Sequence, residues 1–237
     1  MTDPETAAPQ DGGSGIRRER TRAAASGPAG TGRGGTGRGD LARVVVVCGP
    51  SGAGKSRLAD WLRHELGWPT LRLDDFYLDG DDPRLPLQGE LGIPDWDDPR
   101  SWDAQAALAA LATLCRDGQV DVPGYDIGAS RRVPGVRITL PPGRFVVAEG
   151  IFAAELVGAL RDGGLLAQAW CVCRTPWVTF ALRLARDLKE RRKPPLTLVR
   201  RGLVLRRAQR DIVAHQVALG ATPITPGDAR RRAADLR

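Results

Sequence analysis

Eight residues, Gly49-Pro50-Ser51-Gly52-Ala53-Gly54-Lys55-Ser56, follow the spacing GxxxxGK[ST] at every fixed position. Glycines at that spacing let the backbone curl until its N–H groups converge on phosphate oxygens, and a helix starting there adds the positive end of its dipole. Lys55 can then reach the β- and γ-phosphates, and the Ser56 hydroxyl can ligate Mg²⁺. The pattern predicts ATP and Mg²⁺ as cofactors. It leaves open whether the phosphate goes to water, drives a motion, or passes to a substrate. A second chemical cluster is RLDDFYLDGDD, in which Asp74, Asp75, Asp79, Asp81 and Asp82 surround Phe76-Tyr77. Asp and Gly both favour turns, so Asp79, Asp81 and Asp82 read as solvated loop residues. Asp74 instead follows an apolar run, where a carboxylate leaving a strand can take a proton from an acceptor hydroxyl.

The elements that must hold these groups are legible around them. Arg43-Val44-Val45-Val46-Val47-Cys48 has the β-branched continuity of a strand buried on both faces of a parallel sheet. KSRLADWLRHELG repeats leucine at Leu58, Leu62 and Leu66 and stops at Gly67, which is a helix. A short strand at Thr70 to Leu73 leads into the acidic segment. A helix is expected from Asp103 to Arg116, followed by a Pro- and Gly-punctuated hairpin excursion and a buried strand at FVVAE. AAELVGAL, the strand AWCVC and a helix from Thr175 to about Arg192 come next, then an Arg-rich helix and a short one capped by Thr225-Pro226. Strands alternating with helices predict an open α/β sheet.

Composition bounds the function. Of 237 residues, 42% are hydrophobic and 27% charged, as in a globular protein, and no apolar run nears the ~20 residues of a membrane span. Residues 1–40 are low in complexity and predict a disordered tail; residues 41–237 then form one domain. MTDPETAAPQ lacks the basic and apolar regions of a secretory signal, which predicts a cytoplasmic protein. The net charge of +7 suits phosphorylated ligands. Arginines without interleaved aromatics argue against nucleic acid. Cys48, Cys115, Cys171 and Cys173 lack paired CxxC spacing and read as buried thiols.

Taken together in order, GPSGAGKS, LDDFY, DWDDP, PGYD, VVAEGI and RLARDLKERR resemble the uridine kinase and phosphoribulokinase-like family of P-loop kinases, over about Arg43 to Arg201. The resemblance implies a P-loop NTPase three-layer fold: a mostly parallel central sheet, helices on both faces, a small hairpin excursion and an Arg-rich lid. It implies Asp74 as catalytic base beside Lys55, with the loop Gly49 to Ser56 on ATP. Asp97, in the Asp95-Trp96-Asp97-Asp98-Pro99 segment, becomes the carboxylate for sugar hydroxyls. Tyr125 falls where the family sets an aromatic against the nucleobase, though it also suits packing within the hairpin. Glu149 falls at the acidic position near Mg²⁺ with Ser56, though it also suits a helix N-terminus. Arg183, Arg186 and Arg191 follow the lid pattern, Arg183 towards substrate and the other two towards ATP.

Two positions depart from the pattern: Ser130 stands where uridine kinases carry histidine, and Glu190-Arg191-Arg192-Lys193 lacks the lid glycine. The reading is an ATP-dependent kinase of a small-molecule alcohol, foremost the 5′-hydroxyl of uridine or a related ribonucleoside. A kinase of a non-nucleoside alcohol and a non-catalytic ATP-binding protein are the alternatives. A homo-oligomer is left open.

Overall fold

A computed structural model describes residues 41–89, 92–140, 145–189 and 195–236, apart from some side chains between 183 and 207. The expected tail at residues 1–40 lies outside them. The apolar run forms β1 (Arg43–Cys48), the centre of a five-stranded sheet. It pairs in parallel with β7 (Phe145–Glu149) on one side and β8 (Leu166–Val172) on the other. The edges are β2 (Thr70–Arg72) against β7 and β9 (Thr222–Ile224) against β8, both parallel, giving the order β2-β7-β1-β8-β9. Every strand therefore delivers its C-terminal residue to the same rim. Register fixes the neighbours there: Val47 and Arg72 both sit opposite Glu149, and Cys48 opposite Cys171.

Helices cover both faces because alternate residues of β1 need apolar cover on both sides. Val45 and Val47 pack with Leu58 and Leu62 of α1 (Lys55–Leu66), with Trp68 and Trp170, and with Ala229 and Ala233 of α6 (Pro226–Ala234). Val44 and Val46 pack with Leu111 and Leu114 of α2 (Ala104–Asp117) and with Leu160 of α3 (Val157–Asp162). Each such fully buried leucine contributes about 1.5–3 kcal/mol. Two long helices, α4 (Pro176–Lys189) and α5 (Pro195–Ala218), lie between β8 and β9 in sequence. The three-layer α/β architecture expected from the sequence is the one observed. Asp103 caps α2 by accepting from the Ala106 N–H at 2.9 Å, and Thr225 caps α6, where Pro226 takes the first turn. The short ribbon β3 (Leu87–Gln88) and β4 (Ile93–Pro94) has no periodic signal to announce it.

The excursion is an antiparallel hairpin, β5 (Gln119–Asp126) and β6 (Arg131–Thr139). It docks on the acidic loop through Asp79, which corrects the reading of that residue as solvated, while Asp81 stays largely exposed as expected. Asp79 accepts the Arg132 N–H at 2.6 Å, and Gly80 N–H donates to the Ser130 carbonyl at 2.7 Å. Asp81 pairs with Arg131 at 3.0 Å, and Asp82 with Arg84 at 2.7 Å. Ser130 adopts a positive φ of 49° at this junction, a backbone state that favours glycine or asparagine.

Of these contacts, the half-buried Asp79 bond carries the docking, while the Asp81 pair is solvent-screened. Asp79→Ala is expected to lower stability by about 1–2 kcal/mol, roughly 2–8 °C in Tm, with Asp81→Ala near neutral. Thermal melts of the two variants check this; equal losses would contradict it.

Candidate active site

The phosphate-binding loop leaves β1 at Gly49, whose φ of 134° is open to glycine. A Cβ there would lie 2.4 Å from the Val172 carbonyl oxygen, so the loop can hug the end of β8 only with hydrogen at that position. Lys55 opens α1, is 8% exposed, and donates from Nζ to the Pro50 carbonyl at 3.4 Å. Ser56, next on the helix, donates from Oγ to Glu149 Oε1 at 3.3 Å. Glu149 is itself the last residue of β7 and is buried.

Asp74 comes from the neighbouring edge. After β2 the chain tightens into a 3-10 turn over Leu73–Phe76, with Leu73 and Phe76 buried and Asp74 turned towards the rim. Gly150, directly after Glu149, makes room for it. A Cβ at Gly150 would fall 2.8 Å from Leu73 Cβ and 3.5 Å from Asp74 Oδ1. Ser56, Asp74 and Glu149 line one polar cavity of about 450 Å³, which also takes in Asp60, Arg63, Thr70 and Arg72.

Burial governs the electrostatics of this cluster. Loss of water raises the Asp74 pKa, against the attraction of Lys55 and then Arg72. Glu149 is raised by burial first; Lys55 lowers it, the Asp74 carboxylate raises it, and the Ser56 hydrogen bond lowers it. Asp75 is raised by burial as well, against Arg72, with Asp74 adding to the rise. Two carboxylates thus share one ammonium in a partly dry site, an arrangement that a cation beside Ser56 and Glu149 would relieve. Among the described residues no group of three or more His, Cys, Asp or Glu is arranged to hold a metal ion. Ser56 and Glu149 are the residues that would hold Mg²⁺, which takes few protein ligands and completes its shell with phosphate oxygens and water.

A second cavity has a volume of about 340 Å³. Gly49, Pro50 and Ser51 form one end, and its walls are mainly Ile151, Phe152, Phe180 and Ile212, with Asp97, Glu155 and Asp211 among its polar groups. Asp97 therefore lines a different cavity from Asp74. Tyr125 and Ser130 line neither. The Tyr125 hydroxyl donates to the Leu78 carbonyl at 2.9 Å, and its ring packs on Tyr77 and Trp96 at 5.8 and 6.5 Å between centroids. Tyr77 also meets Phe152, at 6.3 Å, which joins this aromatic cluster to the wall of the Asp97 cavity. Arg183 and Arg186 fall on α4 with their side chains outside the described residues, and Arg191 lies outside them altogether.

Sequence reasoning missed the residues that seat α5. Gln209 donates from Nε2 to the Arg174 carbonyl at 2.9 Å, and Gln216 to the Ile151 carbonyl at 2.9 Å, while Cys171 Sγ bonds to Gln216 Oε1 at 3.2 Å. Both glutamines are buried, and their spacing of two helical turns was the available signal. The four cysteines are unpaired thiols, with Cys173 half-buried and the rest buried. Among the described residues no helix is long and apolar enough to cross a membrane.

No family model matches the chain. Over 120 residues, half of its length, it is 36% identical to the inorganic pyrophosphatase TTM2 of Arabidopsis thaliana, of which that stretch covers 17%. Over 110 residues, 46% of its length, it is 30% identical to uridine-cytidine kinase C of Dictyostelium discoideum, covering 23% of that protein. The chain thus spans about a fifth of the length of the curated relatives it matches. Among solved structures, the putative fructose transport system kinase from Silicibacter sp. TM1040 superposes with a TM-score of 0.52 at 20% identity, over 78% of this chain and 88% of that one. The likeness is one of fold.

Glu149 tests the electrostatic description directly. A carboxyl whose folded pKa is raised favours folding below its ordinary value of 4.5, and that contribution is lost as pH rises through the folded pKa. Glu149→Gln is therefore expected to raise the Tm at pH 7.5, and the gain should vanish near pH 4. Melts at both pH values check it; a variant less stable than the parent at pH 7.5 would contradict it.

Proposed function

We propose that the chain is an ATP-dependent kinase of a small-molecule alcohol, with a ribonucleoside as the leading acceptor. One observation carries the kinase reading: Lys55, Ser56, Glu149 and Asp74 converge on one end of the sheet, Asp74 from the turn after β2, Glu149 from the end of β7, and Lys55 and Ser56 from the start of α1 after the loop that leaves β1. A phosphate loop alone would serve any nucleotide-binding protein. A half-buried carboxylate with a raised pKa, Asp74 beside the lysine, supplies what transfer to a hydroxyl needs.

In this reading the acceptor hydroxyl gives its proton to Asp74. Its oxygen bonds to the γ-phosphorus as the bond from that phosphorus to the β–γ bridging oxygen breaks, and the electron pair leaves on ADP. The rise in the Asp74 pKa brings it closer to neutrality, where a carboxylate is a better proton acceptor. Lys55 holds positive charge against the transferring group. Magnesium, when held by Ser56 and Glu149, neutralises charge on the phosphate oxygens. Arg183, Arg186 and Arg191 remain the proposed lid, closing on substrate and ATP.

The acceptor class rests on the Asp97 cavity, and the reading requires the reactive hydroxyl to reach Asp74 past the Tyr77–Phe152 contact, which adjoins both the turn that carries Asp74 and the wall of this cavity. Its apolar walls suit the flat body of a nucleobase, and Asp97 at its margin suits the paired hydroxyls of ribose. One relative carries uridine and cytidine in its name, which agrees with this reading. Ser130 in place of histidine, held instead against Gly80, supports broad base tolerance. Tyr125 is proposed to act through this aromatic cluster, as the partner that holds Tyr77 and Trp96 in place.

Offered nucleosides, sugars and other alcohols with Mg·ATP, the protein is expected to release most ADP with a ribonucleoside. The matching 2′-deoxynucleoside should fall roughly ten- to a hundredfold in kcat/KM, for one lost charge-assisted hydrogen bond. Preference for a non-nucleoside alcohol would reject the acceptor and keep the kinase. ADP release indifferent to every alcohol would reject the kinase reading itself.

A further inference from the structure

The Asp97 cavity has a histidine of its own. Of the two in the chain, His64 lies near the end of α1 beside Arg63, whereas His215 lines this cavity from α5. Ser130, which stands where the resemblance sets a histidine, lines neither cavity. A choice among bases therefore falls to the walls that a base would meet here.

His215 is held from two sides. The next residue, Gln216, is buried and pins α5 to the Ile151 carbonyl at 2.9 Å. Glu155, from the 3-10 turn Ala153–Leu156, places Oε1 3.0 Å from His215 Nε2. A carboxylate only accepts, so Nε2 carries the proton, and in the neutral ring Nδ1 keeps a lone pair. Among the described residues nothing else bonds to the ring, and His215 is exposed at the edge of the cavity.

The surrounding wall has the same polarity. Asp211, one turn earlier on α5, lines the cavity with Glu155, and the described lining residues include no lysine or arginine. The side-chain donors of these helices are engaged. Thr179 donates its hydroxyl to the Thr175 carbonyl at 3.4 Å, and Gln209 and Gln216 donate to the carbonyls of Arg174 and Ile151. What this wall offers a ligand is chiefly lone pairs.

We propose that His215, oriented by Glu155, is the residue that selects among bases, and that it selects an exocyclic amino group, as in cytosine and adenine, over a carbonyl, as in uracil. This rests on the acceptor reading above and narrows it. An amino N–H facing Nδ1 gains a hydrogen bond, whereas a carbonyl oxygen in its place sets lone pair against lone pair. Because cytosine and adenine share the amino group, ring size is tolerated while the amino group is required.

Initial rates of the full chain with Mg·ATP test this on two pairs: cytidine against uridine, and adenosine against purine riboside, which has hydrogen in place of the amino group. The wild type is expected to favour the amino member of each pair roughly five- to fiftyfold in kcat/KM. His215→Ala should bring both ratios within about threefold, and Glu155→Ala, which frees the ring, should lower them in the same direction. The ratio of cytidine to 2′-deoxycytidine should stay within about twofold in both variants, because Asp97 is untouched; a merely structural loss would move it as well. Wild-type ratios near one, or a preference for uridine, would overturn the inference and leave the nucleoside reading standing. So would ratios that survive His215→Ala. Turnover of a non-nucleoside alcohol with no ribonucleoside used would overturn the nucleoside reading, and this inference with it.

Discussion

The site depends on one crowded electrostatic arrangement: Lys55, a residue only 8% exposed, faces the buried Glu149 carboxylate and the half-buried Asp74 carboxylate. Each carboxylate alone would pair readily with a lysine. Together they repel, and burial favours their protonated forms. The fold keeps them together because they sit on backbone that cannot move apart. Glu149 is locked in register with Val47 and Arg72, and Asp74 is wedged against Gly150 with its neighbours Leu73 and Phe76 in the core. A poorly compensated set of charges held by a well-packed sheet is characteristic of sites arranged for chemistry rather than for stability.

The surroundings extend this fixity outward. The loop lies against β8 because Gly49 has no side chain, and α5 is pinned to carbonyls at the strand ends by Gln209 and Gln216. On the opposite flank the hairpin is fastened to the acidic loop through Asp79 and Ser130, and Tyr125 spans the joint to the Leu78 carbonyl. Because Tyr77 follows Phe76 in the same turn that presents Asp74, the aromatic cluster and the carboxylate share a support. Displacing the hairpin would disturb both.

How much could be read in advance depended on the range of the interactions. The loop and its flanking strand and helix were plain, since β-branched continuity, glycine spacing and leucine periodicity all act within about 25 residues. The Thr225 cap was legible for the same reason, whereas Asp103, expected as the first residue of its helix, is the cap before it. Asp79 was misjudged because its partner, Arg132, lies 53 residues away on the hairpin. Tyr125 fell in the expected hairpin, yet no local pattern could show that its hydroxyl is taken by Leu78, 47 residues back. Nor could the sequence divide Asp97 and Asp74 between separate cavities, because that depends on where α4 and α5 lean over the loop. Arg174 follows a strand and looks like any solvated arginine until the loop carbonyl of Ala53, 121 residues earlier, is seen to accept from it.

We infer that the cluster passes phosphate to an organic hydroxyl and keeps water out of the reaction. Phosphorus NMR of a turnover mixture with Mg·ATP and a ribonucleoside, in ¹⁸O-enriched water, reports on this directly. The account predicts a new phosphate monoester resonance that grows in step with ADP and carries no ¹⁸O from solvent. Inorganic phosphate bearing solvent ¹⁸O as the principal product, with no monoester, would contradict it.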